Sequence, residues 1–548
     1  MSLLFALVLR LLLAAASGPD APPAGLGDGP DVIVILADDL GFGDVGYNGS
    51  EIATPEIDRL AAEGVVLDRF YVSPLCSPSR AGLLTGRYPL RAGISEPITH
   101  TDTVGLAPYQ KTLADDFRRG GYETAVIGKW HLGTACHHHP LRHGFDSFVG
   151  LIGGGANYFT RRTSIGYDWW RDYAPERPDG YTTDLLADEA VALLSRPRAG
   201  PLFLYLPFTA PHTPLNALDE DLAEYPDLPE PRRTYAAMVT ALDRAVGRVM
   251  TAVQASGRPT LVWFLSDNGG VERFGADNGP LRGRKGGTRE GGIRVPSVVW
   301  YPPLGVRRVD HPVWYLDVAP TLHGLAGLPA PARRLDGADQ SAQLAGAAAS
   351  SSLLDRTLVS HRRLTNGGYW TGAQSARWKY VGRDLGGRVR HELYDLLADP
   401  AETSDLARTH RDTLRSLQRQ AQRYGARTPA WASHDVSLTV RRVPDLSTCE
   451  AAARSAVRAE RASASAGRRV WAVPNPAADP SIEVSGPPVD RARVDVFDVL
   501  GRRVQTLHDG PLGTSASFRL GAEVPPGVYV VRVTEPAGPT ISSFTVGR

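Results

Sequence analysis

The longest apolar runs of the chain read as strands. Asp31-Val32-Ile33-Val34-Ile35-Leu36-Ala37 is apolar and largely β-branched after its first residue, the pattern of a strand buried on both faces of a sheet. Val65 to Val72, Tyr122 to Ile127, Pro201 to Phe208 and Leu261 to Leu265 repeat it. Helix signals lie between these runs. Thr54 to Gly64 combines a cap, a proline in the first turn, an early acid and a closing glycine, and Lys111 to Arg119 ends on Gly120-Gly121. A helix around Tyr315 to Leu325 closes this region, so the pattern predicts an α/β domain over 31–345. Ser375 to Val381 reads as a further strand, and Glu392 to Leu396 with Asp399 to Glu402 follows it, within 346–433.

The two ends follow other patterns. Met1 to Ala16 is apolar enough for a signal h-region, with Ala14-Ala15-Ala16 offering small residues for cleavage, so 1–22 is expected to be an export signal. It is too short for a stable membrane span. Ala451 to Arg469 is rich in Ala, Arg and Ser without an apolar face, which predicts a linker over 434–468. Alternation returns in Ala492 to Asp498 and Val528 to Val533, with turn signals at Leu500-Gly501-Arg502 and Pro525-Pro526-Gly527, and predicts a β-sandwich over 469–548.

A length of 548 residues requires more than one domain. A formal net charge of +1 with 42% hydrophobic residues excludes a disordered polyanion binder and a multi-span membrane protein. Cys76, Cys136 and Cys449 are the three cysteines, too few for a disulfide scaffold, and no disulfide is expected.

Candidate chemistry gathers where the predicted strands stop. Asp38 and Asp39 follow the first, Lys129 and His131 the Tyr122 strand, His212 the Pro201 strand, and Asp267 and Asn268 the Leu261 strand. In open α/β sheets the functional crevice lies outside the carboxyl ends of strands, so the four sets are expected at one site. Lys129 and His131, two apart in an extended segment, are expected to face it together. In Ser73-Pro74-Leu75-Cys76-Ser77-Pro78-Ser79-Arg80, Ser77 can cap a helix that Gly86 closes, which puts Cys76 just outside a helix N-terminus suited to an anion. Arg282 to Pro296 is a basic, glycine-rich loop containing Lys285. It lacks interleaved aromatics, and with the near-neutral total charge this argues against nucleic acid as a partner.

The run Cys76-x-Pro78-x-Arg80 with Leu84-Thr85-Gly86-Arg87, followed by Gly128-Lys129-Trp130-His131-Leu132-Gly133, closely resembles the signatures of type I sulfatases over about Asp31 to Ser433. The resemblance implies that 31–345 is the catalytic domain, an alkaline-phosphatase-like mixed sheet flanked by helices, and that 346–433 is a small antiparallel α+β subdomain. It also implies conversion of Cys76 to formylglycine by a dedicated maturation enzyme, with the aldehyde hydrate as nucleophile and a covalent sulfate ester as intermediate. Arg80 would then position the nucleophile and Lys129 and Lys285 would bind sulfate oxygens. His212 would serve the leaving group, and His131 would take the proton that lets sulfate depart.

The metal set implied is Asp38, Asp39, Cys76, Asp267 and Asn268. Its oxygen donors suit Ca²⁺, with Mg²⁺ as alternative. The rival readings are a phosphatase or phosphodiesterase of the same superfamily and a noncatalytic binder of sulfated glycans.

Val473-Pro474-Asn475-Pro476, Asp498 to Val504 and Pro526-Gly527-Val528-Tyr529 resemble the C-terminal sorting domain of the type IX secretion system. That implies an exported protein, secreted or held at the cell surface, with secretion machinery as a partner. Sulfated glycan is the expected substrate, with aryl sulfate as alternative. Cys136-His137-His138-His139-Pro140, Tyr158, Phe159, Arg161, Arg162, Trp169 and Trp170 either line the substrate pocket or, for the aromatics, belong to the core.

Overall fold

The computed structural model describes residues 29–99, 104–164, 166–331, 333–364, 368–384 and 388–426, and in the last part of the chain the segments 469–473, 481–485, 489–498, 503–512, 515–519, 527–535 and 538–546. The expected signal peptide, linker and sandwich turns lie outside these residues. The chain divides into two compact units, Met1–Pro444 and Asp445–Arg548.

The first unit is built on a large mixed sheet. Asp31–Ala37 lies at its middle, paired in parallel with Leu202–Pro207 on one side and Thr260–Ser266 on the other. Glu123–Lys129 and Ser147–Leu151 continue the parallel set beyond Leu202–Pro207, while Ser297–Trp300 pairs antiparallel with Thr260–Ser266. The uninterrupted apolar runs have their reason here, because every residue from Asp31 to Ala37 and from Thr260 to Ser266 is buried. Helices Pro55–Glu63, Thr182–Ser195 and Arg232–Ser256 pack together against the sheet around one core that includes Ile33, Ile35, Leu204 and Phe264.

The structure corrects four local expectations. The Val65 to Val72 strand is two strands: Val65–Leu67 joins the large sheet, and Phe70–Tyr71 leaves it to pair with Val313–Trp314. Between them Asp68 faces Arg308, and Arg69 donates to the Ala376 carbonyl, so polar contacts break the run. Helix Pro55–Glu63 is capped by another helix, since Asp243 accepts from the backbone of Glu56 and Ile57 while Thr54 makes no cap bond.

The third correction concerns the helix at Cys76, which begins at Cys76 itself with Leu75 as its cap residue. Ser77 instead donates to the His131 carbonyl and accepts from the Ile98 amide, and so ties this turn to the Lys129–His131 segment. Gly86, at φ +64°, closes the helix as expected. Finally, Cys136 is disulfide-bonded although no disulfide was expected, and its partner lies outside the described residues. That expectation rested on the small number of cysteines, which bars a disulfide scaffold but not a single bridge.

The smaller sheet is antiparallel in the order Leu358–Arg363, Tyr369–Gln374, Trp378–Asp384, Val389–Asp395. Helix Arg411–Ala426 covers it through Leu417 and Ala421, which pack with Val359, Ala373, Tyr380 and Leu393. The second unit holds two antiparallel sheets, of three and four described strands. Ala492, Val494 and Val496 are buried at alternate positions of Val489–Asp498, which is why that stretch alternates.

Candidate active site

All four strand ends do meet. Lys129 donates to Asp38 Oδ2 at 2.6 Å, Lys285 to Asp39 Oδ1 at 2.5 Å, and Arg80 through Nε and Nη2 to Asp267 Oδ2 at 3.0 and 2.9 Å. Arg80 also donates to the Lys129 carbonyl, which fixes its guanidinium by three bonds in full burial. Asn268 donates to Asp39 Oδ1 at 2.7 Å. Cys76 is a buried free thiol on the first turn of its helix. Gly82, one turn further along, lets that helix approach Tyr315, since a Cβ there would stand 2.2 Å from the tyrosine ring.

The site residues sort by charge. Three carboxylates, Asp38, Asp39 and Asp267, stand against Arg80, Lys129 and Lys285. Burial alone would raise Asp39, but Lys285, His212 and Asn268 overcome it and hold the carboxyl well below its usual range. Burial, with the Asp38 charge beside it, pushes Asp267 up to about 6. Burial raises the Cys76 thiol despite the two lysines.

The two histidines are held neutral in different ways. His212 Nδ1 donates to the Thr213 carbonyl at 2.6 Å, which leaves Nε2 facing Asp39 at 3.8 Å. Burial pushes its pKa down to about 3 against the pull of Asp39. His131 Nε2 donates to the Ile98 carbonyl, and its buried Nδ1 has no hydrogen-bond partner. Burial, helped by Lys129 and Arg80, keeps this ring well below the ordinary histidine value. The reasoning that brought Lys129 and His131 together needs amending, because the strand ends at Lys129 and His131 has φ +58°. A left-handed turn, rather than an extended strand, aims the ring.

A divalent cation fits this donor set. Ligand atoms of Asp38, Asp39, Cys76 and His212 lie within 4.8 Å of one another, and Asp38 Oδ1 and Asn268 Oδ1 are buried acceptors without a hydrogen-bond donor. Orphaned buried oxygens of this kind are costly unless something positive meets them. Carboxylate and amide oxygens suit a hard ion better than zinc.

A sulfatase family model matches residues 30–328. N-acetylgalactosamine-6-sulfatase of Canis lupus familiaris is 32% identical over 503 aligned residues, covering 81% of this chain and 92% of that protein. The chain belongs to the sulfatase family. Arylsulfatase J of Mus musculus is 39% identical over 302 residues, which span 52% of this chain and about half, 50%, of that relative. Among solved structures, Ps i-CgsB in complex with k-i-k-neocarrahexaose superposes with a TM-score of 0.69 at 33% identity, over 74% of this chain and 95% of that one. The mixed sheet with its flanking helices is thus the alkaline-phosphatase-like fold of sulfatases, and the enzyme is a sulfuric ester hydrolase.

Around the sulfatase centre, the residues suggested as pocket lining divide. Tyr158, Trp169 and Trp170 are core, and Arg161 is buried with its guanidinium on the carbonyls of Gly180 and Pro178. His137, Phe159 and Arg162 of that group are exposed. His138 and His139 are likewise buried, the latter bonded to the Asp172 carbonyl. The cleft over Asp39, His212 and Lys285, about 350 Å³, is instead walled by Thr213, Phe274, Arg284 and Arg362.

Sequence reasoning passed over Arg362, which reaches this cleft from the small sheet, because nothing local marks a strand arginine as part of a distant site. Asp44 was also missed. It accepts from Gly41 N, Tyr235 Oη and Asp277 N and braces the loop that follows Asp38 and Asp39.

Proposed function

We propose that the chain is a secreted sulfatase that removes sulfate from glycans with a formylglycine derived from Cys76. The observation that carries the reading is the placement of the Cys76 thiol on a helix N-terminal turn amid Arg80, Lys129, His131, His212 and Lys285. The hydrated aldehyde would supply the attacking oxygen, and a bound Ca²⁺ or Mg²⁺ held by Asp38, Asp39, Asp267 and Asn268 would supply Lewis acidity. With three carboxylates balancing three cations, a dication leaves the site positive, as a sulfate monoanion requires.

The chain's own residues do the remaining work. Lys129 and Lys285 hold the non-bridging sulfate oxygens, and Arg80 keeps the nucleophile's turn in register with Asp267. As the bridging S–O bond breaks, the leaving oxygen needs a proton. His212 presents Nε2 for this, and the arriving anion adds to Asp39 in favouring its protonated form. His131 has its Nε2–H committed to Ile98, so its unpaired Nδ1 is the basic nitrogen that takes the proton when sulfate is expelled.

The substrate class rests on the relatives, one of which is named N-acetylgalactosamine-6-sulfatase and another of which is solved in complex with k-i-k-neocarrahexaose. Export rests on the apolar N-terminus and on the resemblance of the last strands to a type IX sorting domain.

The test is the mass of the Cys76 peptide after production with a formylglycine-generating enzyme, measured beside aryl sulfate hydrolysis. Conversion lowers the mass by about 18 Da, from the atoms exchanged at the oxidised thiol. Sulfate release is expected only from converted protein. It should be lost on chelation and return with Ca²⁺ or Mg²⁺, the more effective ion identifying the resident one. Turnover by a protein whose Cys76 remains a thiol would refute the mechanism.

A further inference from the structure

Next to the catalytic cleft lies a larger one of about 490 Å³. The two adjoin, because Arg284, Lys285, Gly286 and Arg362 line both. One wall is the basic loop and the other is the face of the small sheet bearing Arg362, Trp370, Arg383 and Arg390. Gly286 joins the walls: its amide donates to the Pro74 carbonyl beside the Cys76 turn, and its own carbonyl accepts from Arg362 Nη1. Glycine is needed there, since φ is +87° and a Cβ would stand 2.1 Å from that Nη1.

The charge of this second cleft exceeds what the protein neutralises. Its lining carries seven cationic side chains and one carboxylate, Glu272. Some of the cations are committed elsewhere, Lys285 to Asp39, Arg289 to Glu392 and Arg282 to the Glu402 carbonyl. The rest are weakly matched. Arg284 lies 3.5 Å from Glu272 with both side chains more than half exposed, a contact that water largely screens. Arg390 shares Glu392 with Arg289, so one carboxylate serves two guanidiniums. Arg383 rests over the Trp370 ring at 5.2 Å, and Arg362 faces Glu96 only loosely, at 3.9 Å, with its buried Nε making no hydrogen bond.

Catalysis on one sulfate ester uses the lysines of the first cleft and has no use for these arginines. Guanidiniums are suited to bidentate binding of sulfate or carboxylate. We propose that this cleft is a second anion subsite, which takes a sulfate or carboxylate borne by a sugar adjoining the one that is desulfated. The natural substrate is then an oligomeric, multiply charged glycan rather than an isolated sulfated sugar. This rests on the sulfatase reading for its catalytic cleft only.

Binding tests it without turnover, on the full chain with Cys76 unconverted. A fluorescent dextran sulfate oligosaccharide and a fluorescent oligogalacturonate are titrated at low salt and followed by anisotropy. Relative to the parent chain, Arg383→Gln with Arg390→Gln is expected to weaken binding of at least one probe about tenfold, by loss of two charge-assisted contacts. The probe affected identifies the anion. Arg383→Lys with Arg390→Lys should recover part of the loss at an unchanged melting midpoint. Arg171→Gln with Arg196→Gln, on another surface, should leave binding as it was.

Equal affinity in parent and Arg383→Gln, Arg390→Gln protein for both probes would overturn the proposal. So would an equal loss in the Arg171→Gln, Arg196→Gln protein. Failure of the sulfatase mechanism would show separately, as absence of sulfate release from an aryl sulfate by converted protein.

Discussion

Arg80 shows how much one side chain carries. Its three bonds join the Cys76 helix, the end of the Glu123–Lys129 strand and Asp267 without exposure to water. Lysine has the charge but not the planar fork, so Arg80→Lys leaves the Lys129 carbonyl or an Asp267 contact unmet. The expected loss is about 2 kcal/mol of stability and roughly a hundredfold in kcat from displacement of the nucleophile. A denaturant titration and steady-state kinetics on converted protein check both.

His139 makes a pH prediction. Its Nε2 bonds the Asp172 carbonyl and its Nδ1 accepts from the Leu141 amide, so a proton on Nδ1 has no place, and burial holds the pKa down to about 3. The unfolded chain takes up that proton below about pH 6.5 while the folded chain does not. Stability is therefore present above pH 6.5 and falls between there and about 3, by about 1.4 kcal/mol per pH unit from this residue. Thermal melts across that range should show a shallower decline in His139→Gln. At this scale the sequence was legible wherever a buried run stopped abruptly at charged residues. It was silent on backbone sign, so His131 was placed correctly for a reason that its positive φ contradicts.

At the scale of elements, the small sheet is held to the large domain by a buried triad. Lys379 lies 2.7 Å from Glu290 Oε1 and 3.3 Å from Glu402 Oε1, all three fully enclosed. Glu290 begins the short helix Glu290–Ile293 that follows the basic loop, and its amide donates to Glu402. Lys379→Met strands the buried Glu402 carboxylate and leaves Glu290 only Arg294, at 3.5 Å, and the Tyr71 hydroxyl, and is expected to cost about 3–5 kcal/mol. It should also lower kcat/KM, because the loop behind Lys285 loses its anchor. Adding Glu290→Gln removes one buried charge and should restore part of the stability, a coupling that a double-mutant cycle measures. None of this could be read from the sequence. Lys379 sits in an ordinary alternating strand, and what it faces lies 89 and 23 residues away, at Glu290 and Glu402.

At the scale of the whole molecule, the two units divide the catalytic site from the proposed sorting role. The active site lies within Met1–Pro444, while the strands that resemble a sorting domain belong to Asp445–Arg548. Removing 469–548 is expected to leave aryl sulfate hydrolysis by the converted enzyme unchanged and to abolish delivery outside the cell in a host with type IX secretion. Fractionation with an activity assay checks this, and lost hydrolysis with retained export would reverse the assignment of the two parts. Among the described residues no helix is long and apolar enough to cross a membrane.

The sequence by itself marked the strand-end residues that meet at the catalytic centre. Buried parallel strands must be apolar throughout and must leave the sheet at a common edge, so the polar groups that end them are identified by where the apolar runs stop. It also determined the family, through a contiguous motif around Cys76 that needs no tertiary contact to be read. Only the tertiary structure decided that Tyr158, Trp169 and Trp170 belong to the core, that Ser77 ties the Cys76 turn to His131, and that Arg362, Arg383 and Arg390 face the basic loop. Those facts depend on the docking of segments far apart in the chain. Local pattern records whether a side chain seeks water or apolar surroundings, but not which distant segment it will meet.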